Sequence, residues 1–92
     1  LGLFDYAKTL QKINQNSAAQ KVLEFGIERY PESLDMAAIH CGFQMSINTN
    51  ESLALELLKA GQNRYANTFI QKLLDFYPDL AKDSRIINQS LN

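Results

Sequence analysis

The residue types best suited to chemistry in this chain are its one histidine, His40, and its one cysteine, Cys41. A catalytic or metal site needs several polar side chains that converge on one point. The residues three and four positions away from His40 on a helix are Met36, Ala37, Phe43 and Gln44. None of them completes a zinc ligand set, and consecutive helical residues point about 100° apart, so His40 and Cys41 do not pair within this segment. The sequence therefore predicts no metal or catalytic site here, and a structural position for Cys41 against a neighbouring helix.

Carboxylates spaced four residues apart are the other possible source of chemistry, at Glu24 and Glu28 and at Asp79 and Asp83. This spacing places both members of a pair on one solvated helix face, which is typical of surface charge rather than of an acid–base pair. The sequence also lacks a glycine-rich loop of the kind that holds phosphate groups. We therefore predict that the protein is not an enzyme and that it binds no cofactor.

The bulk composition excludes several classes of partner. Nine basic and ten acidic residues nearly cancel and are scattered along the 92 residues, so binding of nucleic acid through bulk charge is not expected. No apolar run approaches the roughly 18–20 residues of a membrane span. A single cysteine cannot form an internal disulfide, which favours a reducing compartment and a cytoplasmic location. The chain begins with Leu1 rather than Met, so we expect residues 1–92 to be one domain cut from a longer protein.

Six segments with apolar residues at helical spacing must position any site, over about residues 2–14, 17–30, 33–47, 50–60, 63–77 and 79–91. Ser17, with Gln20 completing a capping-box pattern, and Ser33 mark two helix starts. Gly61 is expected to end the fourth helix, which is apolar almost all round and should be covered on both sides. Short connections force neighbouring helices to run antiparallel. The predicted fold is all-α, with about six short antiparallel helices stacked as helical hairpins.

The chain also resembles itself at two different offsets. An offset of 35 residues superimposes Ala19 on Ala54, Leu23 on Leu58 and Gly26 on Gly61. An offset of 47 residues superimposes Ala19 on Ala66 and Tyr30-Pro31 on Tyr77-Pro78. The first makes helices three and four the second repeat unit, whereas the second makes helices four and five that unit. Both registers cannot hold in one regular superhelix, and the sequence leaves the choice open.

A period near 34 residues, built from two helices with small residues at close approaches, resembles the tetratricopeptide repeat. The residues at the signature spacing are Leu3, Tyr6, Ala7, Leu10, Ala19, Leu23, Gly26 and Pro31. A second stretch at the same spacing consists of Leu53, Ala54, Leu57, Gly61, Ala66, Ile70, Leu73 and Pro78. The half-tetratricopeptide repeats of RNA-processing proteins are similar too. The resemblance covers roughly residues 2–80 and implies a right-handed array of helical hairpins.

In such an array the first helix of each hairpin lines a concave surface that binds protein segments. The resemblance places Phe4 and Lys8 of helix one, and Ile39, His40 and Phe43 of helix three, on that surface. We therefore predict a protein–protein interaction scaffold that binds a protein or peptide partner through these residues. They would otherwise pack against a sixth helix or a neighbouring domain. An alternative function is an accessory helical domain of an enzyme, or of an RNA-processing assembly, whose active part lies outside this chain.

Overall fold

A computed structural model describes residues 2–90, except for the side chain of Ser90. These residues form an all-α fold without strands. The α-helices are α1 (Gly2–Lys12), α2 (Asn16–Arg29), α3 (Leu34–Ile47), α4 (Glu51–Tyr65), α5 (Asn67–Phe76) and α6 (Ser84–Ser90). A 3-10 helix (Pro78–Lys82) lies between α5 and α6. The predicted all-α class is confirmed. The predicted sixth helix is divided by Asp83 into a 3-10 and an α segment, and its expected last residue, Leu91, lies outside the described residues.

Helix starts follow the capping rules at some of the predicted positions only. The Ser33 side chain accepts a hydrogen bond of 3.1 Å from the backbone N–H of Met36, which confirms this N-cap. The capping box at Ser17 and Gln20 is wrong, because α2 already begins at Asn16 and its start has no side-chain cap. Gln20 instead donates to the Glu24 carboxylate at 3.2 Å. Its side chain is thus part of a polar network on the surface of α2.

The predicted end of α4 at Gly61 is also wrong, because the helix continues through this glycine to Tyr65. A side chain at position 61 would collide with the Phe69 ring of α5, so this glycine lets two helices approach closely. The break between α4 and α5 falls at Ala66, which has φ 56° and ψ −141°. This conformation is rarely adopted by residues other than glycine.

The core is centred on α3, which packs against α2, α4 and α5. Its buried residues are Met36, Ala38, Ile39, Cys41, Gly42, Phe43, Gln44 and Met45. The prediction that α4 is covered on both sides is wrong, since α4 fully buries one stripe of Ala54, Leu58 and Gly61. The most extensively buried helix is α3, which the other helices contact on most of its sides. Among residues 2–90, each helix is too short or too polar to span a bilayer.

The two repeat registers differ in how well they match burial. At the offset of 35 residues, Ala19 and Ala54 are both buried, as are Leu23 and Leu58, and Gly26 and Gly61. At the offset of 47 residues, buried Ala19 corresponds to exposed Ala66, and Tyr30, 51% exposed, corresponds to Tyr77, 5% exposed. The hairpins α1–α2 and α3–α4 are the units that the shorter offset relates. Of these two offsets, the one of 35 residues therefore pairs residues that are buried to a similar degree.

Candidate partner-binding pocket

The residues predicted to line a concave surface lie in three different places. Ile39 and Phe43 have no exposed surface, so the expectation that they face an open groove is wrong. Their side chains belong to the hydrophobic core because α3 is enclosed by its neighbours. Neither side chain can reach a partner without unfolding of the helices that cover it.

Phe4 and Lys8 lie together on α1, against the end of α5. The Phe4 ring is half-buried and packs against Phe76, with ring centroids 4.9 Å apart, and against Tyr77 at 5.7 Å. The Lys8 ammonium nitrogen lies 4.6 Å from the centre of the Tyr77 ring. This cation–π contact fixes the lysine beside the aromatic cluster. Phe4 is therefore a packing residue, whereas Lys8 lines a cleft between α1, the end of α3 and the 3-10 helix.

His40 lies in a separate, open pocket of 260 Å³ that is bordered by α2, α3 and α4. The pocket is lined by Ile27, Pro31, Ala37, His40, Leu57, Ala60, Gly61, Arg64 and Tyr65. Two of these residues, Ala37 and Ala60, carry only a methyl group and so occupy little of the space between the helices. Ile27 and Leu57 provide apolar walls, and both are half-buried against the core. We name this space the His40 pocket.

The rim of the His40 pocket is braced by contacts between α4 and the loop that precedes α3. Arg64 donates to the backbone carbonyl of Pro31 at 3.1 Å and forms an ion pair with Glu32. The Tyr65 hydroxyl donates to the backbone carbonyl of Glu32 at 3.3 Å. The Arg64 and Glu32 side chains are largely exposed, so the ion pair contributes only about 0–1 kcal/mol, and its role is to position the rim.

His40 meets a polar network on the side of the pocket that faces α2. Its Nε2 lies 3.5 Å from the amide nitrogen of Gln44, and that amide donates to Gln20 on α2 at 2.6 Å. Burial lowers the pKa of His40, and the negative charge of Glu24 opposes this only in part. A lowered pKa keeps the imidazole neutral at pH 7. His40 can therefore offer a partner one donor or one acceptor without burying a charge.

Cys41 is placed where its chemistry is suppressed. The thiol is fully buried and donates to the sulfur of Met45 at 3.8 Å. Burial raises the pKa of this thiol to about 12, so the nucleophilic thiolate is scarce at neutral pH. Across residues 2–90, no three His, Cys, Asp or Glu side chains are grouped so that they could hold a metal ion. The buried position agrees with the structural role predicted for Cys41, although its sulfur contact with Met45 is within α3 and not with a neighbouring helix.

The sequence predicted a binding role for His40 but not for the other residues that line the same pocket. The position of Leu57 beside a pocket could have been predicted, because α4 has more apolar residues than its one fully buried stripe requires. Such an excess is typical of a helix with a second, half-buried apolar face. The role of Arg64 could not have been predicted from the sequence, because its partners Pro31 and Glu32 are more than thirty residues away along the chain.

Comparison with protein families, curated proteins and solved structures finds no match for this chain.

Proposed function

We propose that this protein is an interaction scaffold rather than an enzyme, and that its His40 pocket receives an apolar side chain of a protein partner. The observation that carries the proposal is an open space with apolar walls, Ile27, Ala37 and Leu57, and polar groups, His40 and Arg64, at its rim. Apolar anchors that enter such pockets dominate the affinity of protein complexes. The tetratricopeptide-like architecture predicted from the sequence agrees with this role.

The size of the pocket supports a protein partner over a small molecule. Its 260 Å³ is below the roughly 300–1,000 Å³ of sites that enclose a whole small-molecule ligand. One or two apolar side chains are a better match for this volume. The lining also includes polar side chains, His40 from α3 and Arg64 from α4, that can form hydrogen bonds with a peptide backbone. The partner proposed here is therefore a short protein segment with one large apolar anchor.

The single, buried thiol also supports a cytoplasmic location for this scaffold. Free cysteines persist in reducing compartments, and Cys41 has no second cysteine to pair with in the sequence. We place the interaction with the partner there.

Selection from a random peptide library displayed on phage tests the proposal without a known partner. The 92-residue chain is the bait, and the same chain with Ala60→Phe serves for counter-selection. Ala60 is exposed at the rim, so a phenyl group there fills the pocket and leaves the core unchanged. We expect enriched peptides to share one large apolar residue, and Ala60→Phe to weaken their binding by about thirtyfold, which corresponds to the loss of an anchor worth about 2 kcal/mol.

Asn63→Phe is the matched control. Asn63 is exposed on the same helix but lies outside the His40 pocket, so the same phenyl group there should leave peptide binding unchanged. Fluorescence anisotropy with labelled peptides measures both dissociation constants, and circular dichroism verifies that both variants are folded. Equal loss of binding in the two variants, or selected peptides without an apolar consensus, would refute the pocket as the binding site.

A further inference from the structure

A second cleft, of 340 Å³, lies between α1, the end of α3 and the 3-10 helix. It is lined by Lys8, Gln11, Lys12, Ser46, Tyr77, Pro78, Asp79 and Leu80. None of these residues lines the His40 pocket, so the two spaces are separate sites. We name this cleft the Lys8–Lys12 cleft, and its lining differs from the His40 pocket in charge and in hydrogen-bonding groups.

The two lysines bring positive charge to the cleft without forming an ion pair. Lys8 and Lys12 are four residues apart on α1, which places them on the same face, one turn apart. Neither forms an ion pair with any residue in the range 2–90. The Lys8 ammonium is held 4.6 Å from the centre of the Tyr77 ring. Like charges at this spacing repel each other, so an anion bound between them relieves an unfavourable interaction.

Tyr77 adds a buried polar atom that has no partner. The residue is 5% exposed, and its hydroxyl has no hydrogen-bond partner among the described residues. A buried hydroxyl without a partner costs free energy, whereas phenylalanine would fill the same space without this cost. Burial also raises the pKa of Tyr77 well above its ordinary value, so the hydroxyl stays protonated at neutral pH. It is therefore a permanent hydrogen-bond donor on the ring that the Lys8 ammonium contacts.

The remaining polar groups refine the chemistry of the cleft. The Ser46 hydroxyl donates to the carbonyl of Gly42 at 2.8 Å, so its proton is already used. The Gln11 amide supplies a further donor. Asp79 is the one carboxylate in the lining, and with two lysines the lining has a net charge of +1. The net positive charge and the hydrogen-bond donors of the lining favour a compact anion near the lysines.

We propose that the Lys8–Lys12 cleft binds a compact oxyanion, a carboxylate or a phosphate group, between the two ammonium groups. The Tyr77 hydroxyl donates a hydrogen bond to this anion, which satisfies its unpartnered oxygen. Charge-assisted hydrogen bonds of this kind are stronger than those between neutral groups. The site does not depend on the partner proposed for the His40 pocket, and it is tested separately.

The test is an NMR titration of the ¹⁵N-labelled 92-residue chain with inorganic phosphate at constant ionic strength. We expect saturable shifts of the backbone amides of Lys8, Lys12 and Ser46. Lys8→Gln should raise the dissociation constant at least about tenfold, because it removes a charge-assisted contact. Lys82→Gln is the matched control, since this exposed lysine lies nearby on the 3-10 helix but does not line the cleft. The control should change the dissociation constant by no more than about twofold, because its charge is screened.

Tyr77→Phe separates the binding role of the hydroxyl from a structural one. We expect this variant to be at least as stable as the wild type and to bind phosphate about tenfold more weakly. A less stable variant with unchanged phosphate affinity would overturn the role of Tyr77.

A second titration, with the α-amide of N-acetylglutamate, distinguishes the two sources of the anion. Tighter binding of this compound identifies an acidic protein side chain as the ligand, and tighter binding of phosphate identifies a phosphate group. Shifts that do not saturate with either compound, or equal phosphate affinity in Lys8→Gln and Lys82→Gln, would overturn the site.

Discussion

Replacement of Gly42 by alanine is a sharp probe of the packing around α3. Gly42 lies inside this helix and is buried. A Cβ atom at this position would lie 2.7 Å from Cε2 and 3.0 Å from Cγ of the Tyr77 ring, and closer still to Cδ2. Movement of the ring away from α3 is restricted, because Tyr77 is only 5% exposed and Phe4 packs against it at a centroid distance of 5.7 Å. The added methyl group therefore overpacks the core.

Two opposing effects determine the magnitude. Alanine is favoured over glycine inside a helix by about 0.5–1 kcal/mol. Overpacking of a rigid core site costs about 1–3 kcal/mol, and a rigid aromatic ring belongs in the upper part of that range. We expect Gly42→Ala to lower the free energy of unfolding by about 1–2 kcal/mol. For a domain of this size that corresponds to a fall in the melting temperature of about 4–16 °C.

Gly26→Ala is the comparison that isolates the rigidity of the neighbour. A Cβ atom at Gly26 would meet mainly the terminal methyl and sulfur of Met36, which are the flexible end of that side chain. The gain in helix propensity should therefore offset most of the cost there. Urea unfolding followed by circular dichroism measures both variants. If Gly42→Ala proves as stable as the wild type, or more stable than Gly26→Ala, the contact between α3 and Tyr77 is wrong.

Three further changes test other parts of the fold. Phe43→Ala should lower the free energy of unfolding by about 3–5 kcal/mol, because Phe43 is fully buried. A near-normal midpoint in urea would show instead that Phe43 is exposed. Ala66→Gly should stabilise the chain by about 1 kcal/mol, because φ 56° with ψ −141° strains alanine. An unchanged or lower melting temperature would contradict this backbone conformation at position 66. The Arg85 guanidinium lowers the pKa of Asp83, so this carboxylate stabilises the fold above its unfolded pKa of about 3.9 and loses that effect as the pH falls. Arg85→Gln should therefore be less stable than the wild type at neutral pH, and this difference in unfolding free energy should become smaller below about pH 4. A difference that stays constant across an acid titration would exclude the ion pair between Asp83 and Arg85.

Much of the secondary structure was predictable, because helices follow from local periodicity. The start at Ser33 was correct since a capping serine acts within three residues of its own position. Gly61 misled because glycine has two uses, to end a helix or to let another helix approach. Only the position of Phe69, on a helix that follows, distinguishes these uses. The local sequence pattern thus predicted the positions of the helices better than the residues at which they begin and end.

The candidate site was less predictable, because it depends on how many helices surround α3. Apolar residues lie on every side of α3, so the sequence cannot separate Ile39 and Phe43, which are core, from His40, which borders a pocket. The pairing of Phe4 with Tyr77 depends on contacts between opposite ends of the chain. Such long-range contacts have no counterpart in a periodic pattern. The resemblance to tetratricopeptide repeats indicated a concave site, and the described contacts instead divide its residues between the core, the Lys8–Lys12 cleft and the His40 pocket.

The titration of His40 with and without a selected peptide is the most direct test of protein binding at the pocket. The chain has one histidine, so the imidazole signals in a proton–carbon NMR spectrum report on this site alone. Burial already lowers the pKa of His40, and an apolar side chain seated beside it removes more water from the imidazole. We predict that saturation with the peptide shifts the imidazole signals and lowers the pKa of His40 further, so that the peptide binds more weakly as the pH falls through that pKa. A titration curve that is the same with and without bound peptide would contradict binding at the His40 pocket.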